Sequence, residues 1–384
     1  KGIAMREVAI IGVGMHPFGR FDDKSYVDIG REATVAALKD AGIEWKQVQT
    51  AYCSCMYLPA TSGVRVLSTL GRTGIPIADV EAACASGGVG LKHAHLAVAS
   101  GQCDIALALG VEKMPRGFME PTAIYEDWEI KLGLAVNPMY WAMKARRHME
   151  LYDTSIFQIA KVAVKNHKNS IHNPYAMYHK EFSLEEIMNS RPVCDPITLL
   201  MICAPNEGAA AVILCPKEMA SQYTRKPVTV ASTVHRVSLY PWFRCPAYQI
   251  PTQTDNPEVT ELTARDAYRE AGLGPEDLDV VELQDTDAFC EIEAYEGLGL
   301  CPVGEGGKLI EDGVTEMGGR LPTSVSGGLI CKGEPVGASH LGQVAELTWQ
   351  LRGEAGPRQV PGARVGLAHV VGVGGNCAVT ILKR

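Results

Sequence analysis

One cysteine lies among small residues, where a nucleophile would be easy to reach. Cys84 stands in the stretch EAACASGGVG, with alanine on both sides and glycines close behind it. A thiol at the start of a helix feels the positive end of the helix dipole, which lowers its pKa and favours the reactive thiolate. The glycines leave room for a carbonyl group to approach the sulfur. Because free cysteine is among the most buried residue types, a small core filler is the alternative.

A second candidate lies in the other half of the chain. The tripeptide Gly333-Glu334-Pro335 is expected to begin a helix there, as Cys84 begins the helix ASGGVGLKHAHLAVAS. If the two halves pack as pseudo-twofold mates, both helix N-termini face one cavity. A glutamate in a dry cavity has a raised pKa, so Glu334 could exchange protons with a thiol. These residues therefore predict nucleophilic chemistry at a cysteine.

The elements that position these residues occur twice. Residues 36–49 (AALKDAGIEWKQVQ) and 266–281 (DAYREAGLGPEDLDVV) each end an amphipathic helix at Ala-Gly and then enter an apolar strand. The strand-like segments EVAIIGVG and PVTVASTV precede them. The offset is too long for a solenoid and fits a duplicated domain. Alternating strands and helices predict an α/β protein with βαβ units and mainly parallel sheets.

The repeat also predicts the domain boundaries. Residues 1–225 form the first half and residues 226–384 the second. Within the first half, about 115–205 breaks the pattern and is dense in Met, Tyr, Trp and charge, which predicts an inserted loop domain with its own helices. Long insertions of this kind often shape a binding site. The segment NEGAAAVIL (206–214) then completes the first half.

Composition narrows the function classes. The 384 residues are 46% hydrophobic and 21% charged, with a formal net charge of −8, which argues against nucleic acid or an anionic membrane as the main partner. The 12 cysteines show no CxxC pair and no zinc-ligand spacing, so we expect reduced thiols and no metal site. Neither a signal-peptide pattern nor an apolar run of membrane-spanning length is present, and we expect a cytoplasmic protein.

Five ordered segments together resemble the thiolase superfamily: EAACASGG, NEGAAAVIL, ELQDTDAFCEIEAYEGLGLCPVGEGGKLIEDG, GGRLPTSVSGGLICKGEPVGASHLGQVAELTWQLRG and GLAHVVGVGGNCAVTIL. The branch most similar to them comprises the sterol-carrier-protein-type thiolases and the acetyl-CoA acetyltransferase-like proteins. The resemblance covers nearly the whole chain. It implies a five-layered αβαβα fold, a homodimer or dimer of dimers, and an acyl-CoA substrate with coenzyme A as co-substrate and no covalently bound cofactor.

The resemblance implies a role for Cys84 as the nucleophile of an acyl-CoA C-acyltransferase. Its thiolate would attack the 3-keto carbon of a 3-oxoacyl-CoA, the carbon–carbon bond would break, and free CoA would carry the acyl group away. The reverse Claisen-type condensation, or a related synthase reaction, is one alternative. A catalytically silent subunit that binds acyl-CoA or scaffolds a partner is another.

The chain departs from the family at its acid–base motifs. The family's Gly-His-Pro reads Gly333-Glu334-Pro335, and its His-Asp-Cys-Phe type motif aligns with Gln284-Asp285-Thr286-Asp287. The C-terminal Cys-x-Gly falls on Val370-Val371-Gly372. These exchanges leave either a dead or an altered active site. Polar residues in the 284–287 block, including Asp285, favour an altered one, in which Gln284 and Thr286 donate hydrogen bonds to an oxyanion.

Other residues near these motifs are candidates as well. His340 follows Glu334 by six residues and is either a relocated imidazole or a surface histidine on the helix. His369 and Cys377 flank the turn GVGG and either point into the site or are a structural histidine and a core cysteine. By analogy with the family, the N–H groups of Cys84 and of the turn that contains Gly372, Gly374 and Gly375 form the thioester oxyanion hole.

The substrate and partners follow from the resemblance. An acidic residue at 334 suggests a substrate with its own carboxylate or bulk, and the chain is similar to the thiolase subunits of benzoylsuccinyl-CoA thiolases of anaerobic toluene breakdown. Such enzymes yield benzoyl-CoA and succinyl-CoA, and the aromatic, Met-rich insertion fits an aryl pocket. Members of this branch often work with a small zinc-ribbon/OB-fold subunit, which would hold any zinc. Arg146, Arg147 and the lysines at 161, 165 and 168 either meet the CoA phosphates or form solvated helix faces.

Overall fold

The computed structural model describes residues 5–117, 127–133, 136–239 and 258–384. In these ranges, strands and helices both contribute to the buried apolar core. Two strands form a separate small hairpin in the inserted region, and the others join one sheet. The strands are β1 (Val8–Gly19), β2 (Thr50–Ser54), β3 (Ile77–Val80), β4 (Ala106–Lys113), β5 (Pro192–Cys194), β6 (Ile197–Thr198), β7 (Glu207–Pro216), β8 (Val228–Val237), β9 (Val280–Glu282), β10 (Val365–Gly372) and β11 (Asn376–Lys383).

The sheet repeats one arrangement in both halves. Its order is β3-β2-β4-β7-β1 followed by β8-β11-β10-β9, and the halves join where β1 and β8 pair antiparallel. The last strand of each half, β7 or β11, lies between two strands and runs antiparallel to both of them. The expectation of mainly parallel sheets is therefore wrong, because this one inserted strand makes most neighbouring pairs antiparallel. The common order supports the duplication, while the boundaries near residue 225 stay a prediction.

Helices cover both outer faces and fill the space between the two halves. The helices of the described ranges are α1 (Tyr26–Ala41), α2 (Ser62–Leu67), α3 (Ser86–Ala99), α4 (Asp127–Lys131), α5 (Asn137–Tyr152), α6 (Ile156–Ser170), α7 (Leu184–Met188), α8 (Val259–Ala271), α9 (Ala288–Gly297), α10 (Gly306–Glu311), α11 (Gly328–Cys331) and α12 (Ser339–Arg352). The expected insertion is present as α4 to α7 with the β5–β6 hairpin. The matching helices α1 and α8 both end at a glycine in the left-handed conformation, as the repeated Ala-Gly predicts.

The layers follow from the strand alternation. Along β1, Val8 and Ile10 face the core shared with α3 and α12, whereas Ala9 and Ile11 face α1 on the other side. In the second half, α8 and α9 pack on the outer face of β9 to β11. The result is an αβαβα arrangement with α3 and α12 as the central layer, which confirms the expected fold class.

Two further properties concern the same described ranges. None of their helices is long and apolar enough to cross a membrane. That part of the chain also brings together no group of three His, Cys, Asp or Glu side chains that could hold a metal ion. The cysteines that it contains are all free thiols.

Candidate active site

Cys84 lies in a tight turn that leads into the central helix α3. The turn Ala83–Ala85 is a single 3-10 turn, and Ala83 takes a positive φ of 50°. The Ser86 hydroxyl ties the turn together, since it accepts from the Ala82 N–H at 2.8 Å and donates to the Ala83 carbonyl at 2.6 Å. These bonds fix the thiol at the helix start, as the small residues around it predict.

Glu334 is positioned differently from the prediction. The helix α12 begins only at Ser339, and Glu334 lies before it in an extended segment. That segment pairs with the chain at Pro205, and the Glu334 N–H donates to the Ala204 carbonyl at 3.0 Å. Gly333 must be glycine, because its φ is +110° and a Cβ would lie 1.6 Å from the Asn206 amide nitrogen. The expectation that Glu334 begins a helix is therefore wrong.

The Glu334 carboxylate is the centre of a buried polar cluster. One oxygen, Oε2, accepts from the Cys203 thiol at 3.0 Å, and the other, Oε1, accepts from the Gln284 amide at 2.6 Å. The Cys84 thiol lies beside the same carboxylate, and each of the two groups shifts the pKa of the other. We call these four residues the Glu334 cluster. It brings together the nucleophile candidate from the first half and the acid–base candidate from the second.

Burial governs the protonation of this cluster. It raises the pKa of Glu334, and the polar groups of Cys203, Gln284 and Cys84 around the carboxylate offset part of that rise. Burial and the adjacent Glu334 carboxylate also raise the pKa of Cys84 well above its ordinary value. The expected lowering of the thiol pKa is therefore wrong, because loss of solvent outweighs the helix dipole. The Cys84 proton must leave in the same step in which the sulfur attacks, and the adjacent Glu334 carboxylate is the group that can receive it.

Backbone N–H groups face the Cys84 sulfur. Its own N–H and that of Val373 stabilise the thiolate and hold the pKa of Cys84 below what burial alone would give. Gly372 packs so closely on this turn that a Cβ would lie 3.0 Å from the Cys84 nitrogen. The sequence pointed to Gly372, Gly374 and Gly375 as the oxyanion turn. The N–H that reaches the sulfur belongs to Val373, between those glycines.

Residues 284–287 mainly hold neighbouring residues of the site in position. The Gln284 amide donates to Glu334, so it is not a free donor for an oxyanion as expected. Asp285 accepts from the Leu329 and Ile330 N–H groups and so caps α11. The Thr286 carbonyl accepts from the Cys203 N–H at 2.8 Å and fixes that residue beside Glu334.

Three other candidates lie in the core. His340 is fully buried and bonds the Thr380 hydroxyl at 3.0 Å, so the alternative of a surface histidine is wrong, and burial lowers its pKa to about 4. His369 bonds the Thr260 hydroxyl at 3.2 Å, and burial lowers its pKa to about 3. Burial raises the pKa of Cys377 to about 12. The hydrogen bonds of these side chains go to threonines rather than to the Glu334 cluster, which fits structural roles.

Cys203 is the residue that sequence reasoning missed. It follows the inserted region and precedes the segment NEGAAAVIL, with no motif around it. Its place depends on two long-range contacts, the backbone bond to Thr286 and the thiol bond to Glu334. The only local signal is a cysteine next to small residues at the entry to a buried strand, which most core cysteines share.

The basic candidates on the inserted helices divide into two groups. Arg146 and Arg147 line an open groove of about 710 Å³ on α5, where they pair with Asp195 and Glu150. Lys161 is half-buried on α6, and Lys168 is exposed there. Lys165 was wrongly expected to meet CoA phosphates or solvent. It is buried and pairs with the Glu291 carboxylate and the Thr323 carbonyl.

We expect Lys165→Met to lower the free energy of unfolding by about 3–5 kcal/mol, because it leaves the Glu291 charge buried without its cation. Urea unfolding at a fixed protein concentration measures this loss. The double variant Lys165→Met/Glu291→Gln removes the lone charge and should recover at least half of it. A loss below about 1 kcal/mol in the single variant would contradict a role for the pair in holding α6 against α9.

Comparisons with known proteins show the family of the chain. The family model described as "Thiolase, N-terminal domain" matches residues 8–218, and that described as "Thiolase C-terminal domain-like" matches residues 249–384. The acetyl-CoA acetyltransferase of Methanothermobacter thermautotrophicus is 41% identical over 391 residues, with 99% of this chain and 100% of the relative covered. The benzoylsuccinyl-CoA thiolase subunit BbsB of Thauera aromatica is 38% identical, with 96% and 95% covered.

A solved structure gives the same result. The Ltp2-ChsH2(DUF35) aldolase superposes with a TM-score of 0.87 at 25% identity and covers 100% of this chain and 99% of its own. Both family models, the relatives and the layered fold thus confirm the resemblance seen in the five sequence segments. The chain belongs to the thiolase family of acyl-CoA acyltransferases.

Proposed function

We propose that the chain catalyses the thiolytic cleavage of a 3-oxoacyl-CoA through an acyl-enzyme on Cys84. The observation that carries this proposal is the buried Glu334 carboxylate beside the Cys84 thiol, close enough that each group shifts the pKa of the other. A nucleophile within hydrogen-bond reach of a base is the arrangement that covalent catalysis requires. Glu334 takes the place of the family's histidine and serves as the general base for Cys84.

The first half-reaction follows from the cluster. Glu334 accepts the Cys84 proton while the sulfur attacks the 3-keto carbon, and the carbon–carbon bond then breaks. The N–H groups of Cys84 and Val373 stabilise negative charge at this position. Coenzyme A is the co-substrate: in the second half-reaction, its thiol attacks the acyl-enzyme and releases the new acyl-CoA. The reverse condensation uses the same groups.

The Glu334 cluster is also an argument against a catalytically silent scaffold subunit. Burial of an ionisable carboxyl costs free energy, and an abandoned site has no reason to keep it beside two thiols. Around Cys84 the walls are otherwise apolar, with Met114, Val336 and Val370 packed against it. A polar group retained in such surroundings is typical of acid–base chemistry.

For the acyl group, we propose benzoylsuccinyl-CoA, which gives benzoyl-CoA and succinyl-CoA. Support comes from the similarity to the benzoylsuccinyl-CoA thiolase subunit of Thauera aromatica. An acetyl-CoA acetyltransferase at 41% identity makes acetoacetyl-CoA the competing substrate. Residues 118–126 of the aromatic, Met-rich insertion that we propose for the aryl pocket lie outside the described residues.

We also propose a homodimer that binds a small zinc-ribbon/OB-fold subunit, in the cytoplasm. The name of the Thauera relative is that of a subunit, and the aldolase structure pairs Ltp2 with ChsH2(DUF35). The free thiols of the described ranges fit a reducing compartment. Arg146 and Arg147, beside their groove, are the residues we propose for the CoA phosphates, and Lys161 on α6 is a further candidate.

The experiment is CoA-dependent cleavage of benzoylsuccinyl-CoA, acetoacetyl-CoA and 3-oxooctanoyl-CoA by the purified chain, with and without a zinc-ribbon/OB-fold subunit of the kind proposed above. We expect cleavage with the acyl group recovered as its CoA ester, and the highest kcat/KM for benzoylsuccinyl-CoA. A higher value for acetoacetyl-CoA would overturn the substrate assignment alone. Absence of cleavage of all three, in either direction and with the subunit present, would overturn the proposed reaction.

A further inference from the structure

The mechanism above leaves one member of the Glu334 cluster without a task. Cys203 donates its thiol to Glu334 Oε2, and its backbone is held between two segments of the second half. On one side its N–H bonds the Thr286 carbonyl, and on the other the next residues pair with Glu334. Cys203 is therefore fixed as firmly as Cys84, on the same carboxylate.

The two thiols lie beside one carboxylate. Cys203 bonds Glu334 directly, and Cys84 is close enough to both groups to shift their pKa values. Cys84 keeps 7% of its surface exposed, Cys203 keeps 5% and Glu334 keeps 5%. A substrate carbon bound at Cys84 therefore lies near the Cys203 thiol as well.

The charge environment keeps the Cys203 thiol protonated. Burial raises the pKa of Cys203, and the neighbouring Glu334 and Cys84 raise it further. A thiol that keeps its proton and faces the substrate is suited to give that proton to a carbanion. Its bond to Glu334 provides the route by which the proton is replaced.

We propose that Cys203 is the catalytic acid that protonates the leaving acyl-CoA carbanion. The inference rests on the proposed thiolysis and deepens it. As the carbon–carbon bond breaks, its electron pair moves to the α-carbon of the leaving acyl-CoA, and that carbon takes the Cys203 proton. The Cys203 thiolate then takes the proton that Glu334 received from Cys84. The first half-reaction ends with acylated Cys84, a neutral Cys203 thiol and an ionised Glu334.

The second half-reaction needs only Glu334. The carboxylate accepts the proton of the CoA thiol, the CoA sulfur attacks the thioester, and Cys84 leaves as a thiolate that takes the proton back. Cys203 has no part in this exchange. The proposal therefore predicts different requirements for two reactions. Carbon–carbon cleavage needs both thiols, whereas acyl transfer to CoA needs Cys84 and Glu334 but not Cys203.

The test compares Cys203→Ala with the wild type in three assays. The first is cleavage of whichever of the three 3-oxoacyl-CoA esters the wild type cleaves fastest. The second is deuterium incorporation from D2O at the α-carbon of the leaving acyl-CoA. The third is exchange of labelled CoA into the acyl-CoA that acylates Cys84. Cys215→Ala, which removes a buried thiol from β7, is the matched control.

We expect Cys203→Ala to lower cleavage and deuterium incorporation together by about 10²–10⁴-fold. CoA exchange should stay within about threefold of wild type, since an acyl-enzyme still forms and turns over. The control should change none of the three rates. If Cys203→Ala impairs all three equally while folded, the thiol merely positions Glu334 and the proposal is wrong.

Two further results would also overturn it. Unchanged cleavage in Cys203→Ala would mean that another group gives the proton. A wild type without CoA exchange would show that the proposed function itself has failed, which is distinct from a defect of the variant. If the alanine variant does not fold, Cys203→Ser keeps the size and the hydrogen bond to Glu334. Because a hydroxyl is a much weaker acid, the serine variant should show the same selective loss of cleavage.

Discussion

Cys84→Ala should lose thiolysis almost completely, with kcat at least about 10⁴-fold below wild type. The variant removes the sulfur that forms the acyl-enzyme, and the neighbouring Cys203 thiol does not replace it, because the N–H groups of Cys84 and Val373 face only the Cys84 position. A coupled assay for the released acyl-CoA measures the loss.

The Cys84→Ala variant also distinguishes an enzyme from a catalytically silent scaffold subunit. Loss of one thiol from a small-residue turn should leave the fold and the binding of acyl-CoA intact, which calorimetric titration and thermal unfolding check. Cys215→Ala serves again as the control for removal of a buried thiol. Wild-type turnover in Cys84→Ala would remove Cys84 from the mechanism and leave the altered site without its nucleophile.

Glu334→Gln should lower kcat by about 10²–10⁴-fold at neutral pH, because the Cys84 proton then has no acceptor. The amide keeps the shape of the carboxyl and still accepts from Gln284, so the loss reports the base and not the packing. Removing the Glu334 charge also removes one cause of the raised Cys84 pKa. The remaining activity should therefore climb with pH as the thiol ionises unaided. Stopped-flow acylation of Cys84 from pH 6 to 10 measures this profile.

In Glu334→Gln, the stability of the fold should be maintained or increased although the activity falls. The pKa of Glu334 is raised in the folded chain, so its favourable contribution to folding is present below the unfolded pKa and is lost as pH rises through the folded value. Glu334→Gln should then be at least as stable as wild type at neutral pH, and its advantage should grow at higher pH. Thermal unfolding at several pH values checks this.

Two variants act as controls for the glutamate. Glu334→Asp keeps a titratable carboxyl at a shorter reach and should retain more activity than Glu334→Gln. His340→Gln removes the imidazole that bonds Thr380, and its pH–rate profile should match wild type. If Glu334→Gln were fully active and His340→Gln were not, the general base would be His340 and the account of the Glu334 cluster would be wrong.

A feature can be predicted from the sequence when it depends on a few adjacent residues. The helix ends at Gly42 and Gly272 follow from the Ala-Gly repeat, because a left-handed cap is a property of a few adjacent residues. The strand direction was missed, since β7 and β11 enter between strands distant in sequence. Cys203 was missed for the same reason: nothing near it in the chain indicates that Glu334 lies beside it.

The chemical properties of the site also differ in whether their causes are local in the sequence. The raised pKa of Glu334 follows from burial, which an apolar sequence context already indicates. The pKa of Cys84 was expected to fall, because the helix start is visible in the sequence and the carboxylate that faces it is not. Gln284 was likewise assigned to an oxyanion before its bond to Glu334 was known.

The central claim is that Cys84 carries the acyl group. Peptide mass spectrometry of rapidly quenched wild type, after incubation with benzoyl-CoA, succinyl-CoA and acetyl-CoA in parallel, tests it most directly. We predict an acyl mass increment on the peptide that contains Cys84, its absence in Cys84→Ala, and its slower appearance in Glu334→Gln. An increment on another cysteine, or no increment with any donor on folded protein, with and without the proposed small subunit, would contradict the assignment of Cys84.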